Sequence, residues 1–276
     1  MKTLIALTLT LLLAGQIHAE NRFLKENHEI VPFKNVAQNT FIFWVNGDSD
    51  RFRPAEGLDS NVIRLDTLDV KRIKRFSKQC ECNTLIFHDQ RGTDKWYTNG
   101  KHFGAFIYAY ANGRPLKVDY RKRVRRRTRI SPGLREIKAT YNKLGHAEID
   151  QTDPGFLSDL LKLAKRLFPK TKYHLVYRGH SFANTIGTET AAFDYSHPDK
   201  DFHLKKFIEG IKDANIQFET VTFAACAMSN LSFAHELSSY SDFLIASQLN
   251  INETGKTGFS LAFLKKIEDR LRPTMI

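Results

Sequence analysis

Phe41-Ile42-Phe43-Trp44-Val45, closed by Asn46-Gly47-Asp48, constrains the architecture more tightly than any other part of the chain. Successive side chains of a strand point to opposite faces, so five apolar residues in a row need cover on both sides. A sheet with one wet face would show a polar residue at every second position. A strand inside a parallel sheet covered on both faces shows none. Thr84-Leu85-Ile86-Phe87, Tyr173-His174-Leu175-Val176-Tyr177, Thr220-Val221-Thr222-Phe223 and Asp242-Phe243-Leu244-Ile245-Ala246 read the same way.

The segments between these runs change period. Val62, Leu65, Leu68, Ile73 and Phe76 give near-helical spacing between Leu58 and Lys78. Asp153-Pro154 opens a second helix, with Asp153 as cap and Pro154 in the first turn. Its stripe is Leu157, Leu160, Leu161, Ala164 and Leu167, and Pro169 ends it. Phe202 to Asn215, Ser229 to Ser239 and Phe259 to Leu271 are read as further helices. Strands alternating with helices predict an α/β domain over residues 40–276, an open, mostly parallel sheet with helices on both faces. Gly92 to Arg129 departs from the alternation. It combines Trp96-Tyr97, Phe103 and Phe106-Ile107-Tyr108 with Asn112-Gly113, a strong hairpin signal, and is read as an aromatic and basic hairpin insertion.

In open parallel sheets, ligands bind beyond the carboxyl ends of the strands. His180 follows the third run, and Cys226 follows the fourth at a strand-to-helix junction, where backbone N–H groups would point at the thiolate. The chain has three cysteines, so at least one cannot pair within it. A thiolate activated by imidazole attacks carbonyls, and the backbone N–H groups of Ser181 and Cys226 would form the oxyanion hole. The bland alternative makes Cys226 a small core residue and His180 a turn histidine. Another alternative takes Gly179-His180-Ser181-Phe182-Ala183 as a nucleophile elbow with Ser181 as a serine esterase nucleophile. It lacks the final Gly and a late-chain histidine.

A resemblance separates these readings. From about Asn39 onward the chain resembles the clostripain-like family of cysteine peptidases, which has the caspase–haemoglobinase fold. The similarity runs through Phe41 to Asp48, Asp89-Gln90-Arg91, Leu144-Gly145 to Asp153-Pro154, Phe168-Pro169 to Tyr173, Gly179-His180-Ser181, Ala224-Ala225-Cys226-Ala227-Met228 and Ala246-Ser247-Gln248. The resemblance implies an endopeptidase with His180 and Cys226 as its dyad and no cofactor or metal. It also implies a substrate pocket near Ala224 and Ser247. The family carries Asp where this chain has Ala224, and Glu where it has Gln248. Its usual preference for Arg or Lys at the cleavage site is therefore not expected here. Glu253 is the acidic residue that follows in the next loop.

Charge points to a second class of partner. The formal net charge is +12 and the sequence pI is about 9.6, a balance that favours anionic partners. Arg121, Lys122, Arg123, Arg125, Arg126, Arg127 and Arg129 concentrate it in one run. A run that dense repels itself unless an anionic polymer or membrane surface neutralises it. The competing function is thus a basic binding protein on a catalytically silent scaffold. Cys80-Glu81-Cys82 is open to a metal, a disulfide or a plain structural role. Met1-Lys2, the apolar run Thr3 to Gly15, and Ala19 before Glu20 read as a secretory signal peptide cleaved after Ala19. Residues 20–39 are read as an N-terminal arm, and the product as an exported monomer in the periplasm or outside the cell.

Overall fold

The structure is a computed structural model. It describes residues 28–30, 32–47, 65–90, 104–116, 119–122, 130–132, 151–179, 181–182, 185–186 and 202–248. The signal-peptide reading, His180, Glu253, residues 123–129 of the basic run and the helix expected from Phe259 lie outside the described residues.

The five apolar runs form five strands: β2 (Asn39–Gly47), β3 (Asn83–Gln90), β8 (Lys172–Arg178), β12 (Phe218–Ala224) and β13 (Ser241–Ile245). With β4 (Gly104–Ala111) and β5 (Arg114–Leu116) they make one seven-stranded sheet in the order β13-β12-β8-β2-β3-β4-β5. All pairings from β13 to β3 are parallel, while β4 and β5 add antiparallel. Chain order reverses between β2 and β8. From β2 the chain proceeds to β3 on one side, and from β8 it proceeds to β12 and β13 on the other.

Both faces are covered, as the unbroken apolar runs require. On one face, Val70, Ile73 and Phe76 of α1 (Leu65–Gln79) pack with Phe41, Phe43, Val45, Ile86 and Val176. On the other lie α2 (Pro154–Leu167), α3 (Leu204–Ala214) and α4 (Leu231–Leu237), with Trp44, Phe87, Leu175, Tyr177 and Phe223 beneath them. Asp153 caps α2 by accepting from the Gly155 N–H at 2.7 Å. The helix expected from Phe202 starts two residues later. Phe202 and His203 form a short strand, β11, and the buried Phe202 ring stands edge-on to Trp44 with centroids 5.6 Å apart.

Asn112 and Gly113 both have positive φ, 48° and 79°, as a two-residue hairpin turn demands. Phe106-Ile107-Tyr108 of the expected insertion therefore belong to the edge of the main sheet, while Trp96, Tyr97 and Phe103 lie outside the described residues. Arg121 and Lys122 belong to β6 (Asp119–Lys122), which pairs antiparallel with β1 (His28–Ile30) and β7 (Ile130–Pro132). A third small sheet joins β9 (Ser181–Phe182), β10 (Thr185–Ile186) and β11. Of the three readings of Cys80-Glu81-Cys82, the structure has the disulfide, with both cysteines buried between α1 and β3. No helix among the described residues is long and apolar enough to cross a membrane.

His174, buried mid-strand in β8, bonds Thr220 Oγ1 at 2.9 Å through Nδ1 and Asn39 Oδ1 at 3.2 Å through Nε2. Burial, opposed by Glu219 and assisted by Lys172, pushes its pKa down to about 4. The unfolded chain binds this proton more readily, so His174 favours the fold fully above about pH 6.5 and loses that contribution as pH falls toward 4. The loss amounts to about 3 kcal/mol at most. Urea midpoints measured between pH 7 and 4 should fall more steeply for the wild type than for His174→Gln. Parallel curves would show that the imidazole does not titrate this way.

Candidate active site

The carboxyl ends of β8 and β12 are nearest neighbours, and their last paired residues are Arg178 and Ala224. Cys226 stands two residues beyond one of these ends, and position 180 two residues beyond the other. The register thus brings the two chain segments out of the sheet side by side, next to the β2/β8 reversal where parallel sheets bind ligands. His180 itself lies outside the described residues.

Cys226 is the one cysteine not in the disulfide, and it is 3% exposed. The sequence reading set it against a helix N-terminus. The structure corrects this: α4 begins at Leu231, capped by Asn230 Oδ1, which accepts from the Phe233 N–H at 2.9 Å. Residues 227–230 intervene, so Cys226 sits in a tight turn rather than on a helix end. Met228 anchors that turn in the core, and the Ser229 N–H donates to the Ser247 carbonyl at 2.8 Å. Ser247 is half-buried, so this bond joins the cysteine turn to the stretch after β13.

Ala227 has φ 50°, in the left-handed region. For a residue with a Cβ this conformation costs about 1 kcal/mol, and it places strain directly after Cys226. Ala227→Gly should therefore raise stability by roughly that amount, because glycine adopts this φ without the steric cost. Thermal melting checks it; a lower midpoint would mean that the Ala227 methyl packs well enough to offset the strain.

Ser181 is fully buried, and its hydroxyl donates to the Cys226 carbonyl oxygen at 2.5 Å. This bond ties the segment after β8 to the cysteine turn. Ser181 also lies in a two-residue strand rather than at a strand–turn–helix elbow, and its hydroxyl already has a partner. Both features count against a serine nucleophile. Ala224 is 7% exposed and belongs to the apolar cluster under α1. Its carbonyl accepts from Arg178 Nη1 at 3.4 Å, and Arg178 is itself buried. No carboxylate occupies position 224, and a cation lies beside it.

Sequence reasoning missed the polar layer that supports these loops from the α2 face. Gln151 is its hub. Its Oε1 accepts from Trp44 Nε1 at 2.5 Å, and its Nε2 donates to Asp89 Oδ2 at 2.5 Å and Asn46 Oδ1 at 3.4 Å. The Tyr177 hydroxyl bonds Asn46, and burial drives its pKa far above the usual phenol value, so it stays protonated. All five side chains are buried. Asn46 and Asp89 were visible as polar stops after apolar strands. Gln151 lies in a stretch with no period, within the Leu144 to Pro154 segment of the family resemblance, where nothing singles it out. Gly179 rests on this layer: a Cβ there would lie 2.8 Å from the Tyr177 ring carbon bearing the hydroxyl and 3.1 Å from Asn46 Cβ.

No group of three or more His, Cys, Asp or Glu among the described residues is arranged to hold a metal. A search of curated proteins returns no match. Among solved structures, the chain is similar to a secreted C11 cysteine protease from Bacteroides thetaiotaomicron in complex with an irreversible peptide inhibitor. That match has 13% identity and TM-score 0.49, covering 79% of this chain and 50% of the other. An inactive zymogen C11 protease from Parabacteroides distasonis matches at 15% identity and TM-score 0.46, covering 81% of this chain and 52% of the other. The chain thus spans about half the length of these structures. The sequence model of the clostripain family matches residues 75–272, a span that begins within α1 and includes both His180 and Cys226, and the chain belongs to that family.

Proposed function

We propose that the chain is a cysteine endopeptidase working through Cys226 and His180. The supporting observation is the side-by-side exit of the β8 and β12 ends, which carries the cysteine outside the disulfide toward the segment bearing His180. The Cys226 sulfur attacks the peptide carbonyl as His180 takes its proton. An S–C bond forms, and the N–H groups of Ser181 and Cys226 receive the oxyanion. The imidazolium then protonates the leaving amine, the C–N bond breaks, and water hydrolyses the thioester with His180 again as base. Family membership favours this reading over a silent scaffold.

Ala224 supplies no charge to hold a basic P1 side chain, so Arg or Lys preference is not part of the proposal. Ala224, Ser247 and Glu253 are proposed to border the substrate. Residues 1–19 are proposed as a leader removed on export to the periplasm or beyond, residues 20–39 as an arm, and 40–276 as the monomeric peptidase domain. The net charge of +12 favours a second, separable property, binding of an anionic polymer or surface through Arg121 to Arg129.

An acyloxymethyl-ketone probe should label the wild-type chain and fail to label Cys226→Ala. Equal labelling of both would exclude Cys226 as the nucleophile. Salt-sensitive polyanion binding that persists in Cys226→Ala would establish the second property independently.

A further inference from the structure

The outer face of α1 presents a row of cations that neither the peptidase reading nor the run Arg121 to Arg129 involves. Val70, Ile73, Phe76 and Ser77 face the sheet, whereas Lys71, Arg75 and Lys78 are exposed. These three recur at helical spacing along one side. Lys74 lies between them, half-buried, with its ammonium 3.3 Å from the centroid of the Tyr108 ring on β4. The β4–β5 turn abuts the end of the same helix: Gly113 lies against the Lys78 and Cys80 carbonyls. The Cys80–Cys82 disulfide closes the corner between α1 and β3 at this point.

Like charges at i,i+3 and i,i+4 destabilise a helix. Here Lys71–Lys74, Lys71–Arg75, Lys74–Lys78 and Arg75–Lys78 all repel. Burial and then the Lys78 charge hold Lys74 below the ordinary ammonium value. Two other cations are paired: Lys162 with Asp213 at 2.8 Å and Lys172 with Glu219 at 3.1 Å. Among the residues whose side chains are described, no carboxylate pairs with Lys71, Arg75 or Lys78. Arg72 on the flank and Glu81 beyond the helix end have other engagements.

We infer that Lys71, Lys74, Arg75 and Lys78 form a docking face for an anionic phospholipid surface, bound by charge without insertion. Two features select this occupant. The face lies on the outside of a helix, which suits a broad charged plane. Among its residues whose side chains are described, none is an exposed apolar group that would enter a bilayer, and its ring, Tyr108, lies half-buried beneath the Lys74 ammonium rather than open to a base. Among the described residues the large exposed apolar side chains are Leu231 and Phe243, on α4 and at the opposite edge of the sheet. Charge density is then the property recognised, and each basic residue near an anionic membrane contributes about 1 kcal/mol, or about five-fold in affinity.

The test is co-sedimentation of the full chain with vesicles of phosphatidylcholine containing roughly 30 mol% phosphatidylglycerol, at about 0.1 M salt. Vesicles of phosphatidylcholine alone serve as reference. The wild type should bind the anionic vesicles and release them at high salt. Lys71→Gln, Arg75→Gln and Lys78→Gln combined should weaken binding at least about 50-fold. All three sites are exposed, so the melting temperature should hold. Lys71→Arg with Lys78→Arg, which keeps the charge, should bind like wild type. Equal binding to both vesicle types would overturn the proposal, as would undiminished binding by the triple variant. Binding to a duplex oligonucleotide but not to vesicles would overturn the lipid occupant. Loss of binding on neutralising Arg125, Arg126 and Arg127, with the triple variant unaffected, would move the function to the other basic run. None of these readouts depends on turnover, so the proposal stands or falls apart from the peptidase reading.

Discussion

Cys226→Ala is expected to lower kcat by about 10⁴-fold or more on any peptide the wild type cleaves, with little change in KM. The sulfur makes its covalent bond on the way to the transition state and contributes little to holding the ground-state substrate. The thiol occupies a turn fixed on three sides: by Met228 in the core, by the Ser229–Ser247 bond and by the Ser181 hydroxyl on its own carbonyl. Alanine removes the nucleophile and leaves those restraints intact, so the variant should melt near the wild-type temperature. His180→Ala should lose a similar factor. The double variant should be little worse than either, since neither group works without the other. Ser181→Ala should be milder: it frees the Cys226 carbonyl and loosens the turn but removes no reacting atom. A Cys226→Ala enzyme keeping more than about a hundredth of the wild-type rate would refute the nucleophile assignment. Retained activity there, abolished in Ser181→Ala, would restore the serine reading. Initial rates on a quenched peptide library, which also varies the residue before the cleavage site, measure all of these outcomes.

The parts of the fold that the sequence announced are those where burial is two-sided. The run Phe41 to Val45 has no room for a polar residue because α1 covers one face and α2 covers the other. The same holds for the runs in β3, β8 and β12, while β13 at the sheet edge leaves Phe243 exposed; all five appear as the parallel strands. Their spatial order was not legible, because strands buried alike on both faces look alike. That Cys226 and position 180 leave neighbouring strands depends on β12 pairing with β8, a fact of sheet order. One-sided or short-range signals misled more easily. Phe202 carries helical spacing with later residues, yet it is held in a strand by the Trp44 ring. Cys226 looked like a helix-start residue because it lies between the fourth strand and the helix read from Ser229, whereas the Asn230 cap puts the first helical residue at Leu231. Gln151 had no signal of its own, since its role exists only once β2, β3 and the start of α2 converge.

Gly179→Ala, with an effect nearly as large, tests that convergence. The requirement for glycine at this position is space, set by what lies beneath. A methyl at 179 would lie well inside van der Waals contact of the Tyr177 hydroxyl, 2.8 Å from the carbon bearing it and 3.1 Å from Asn46 Cβ. Tyr177 cannot simply swing away: it is fully buried, and its ring stands edge-on to Trp44 at 4.9 Å. Overpacking of this kind costs roughly 1–3 kcal/mol, and breaking the Tyr177–Asn46 bond inside a dry layer adds roughly 1–3 more. A total near 3 kcal/mol should lower the melting temperature by about 6–12 °C for a chain of this size. Gly179 directly precedes His180, so the same displacement should lower kcat by about 10² even in the folded fraction. Tyr177→Phe alone should cost about 1 kcal/mol, from the lost hydroxyl bond. Combined with Gly179→Ala it should cost less than the sum of the two, because the phenyl ring removes the worst of the clash while the ring carbon still crowds the methyl. Strict additivity would mean that the methyl is accommodated by backbone movement away from Tyr177. The layer of Asn46, Asp89, Gln151 and Tyr177 would then support the strand ends without fixing the residue that follows them.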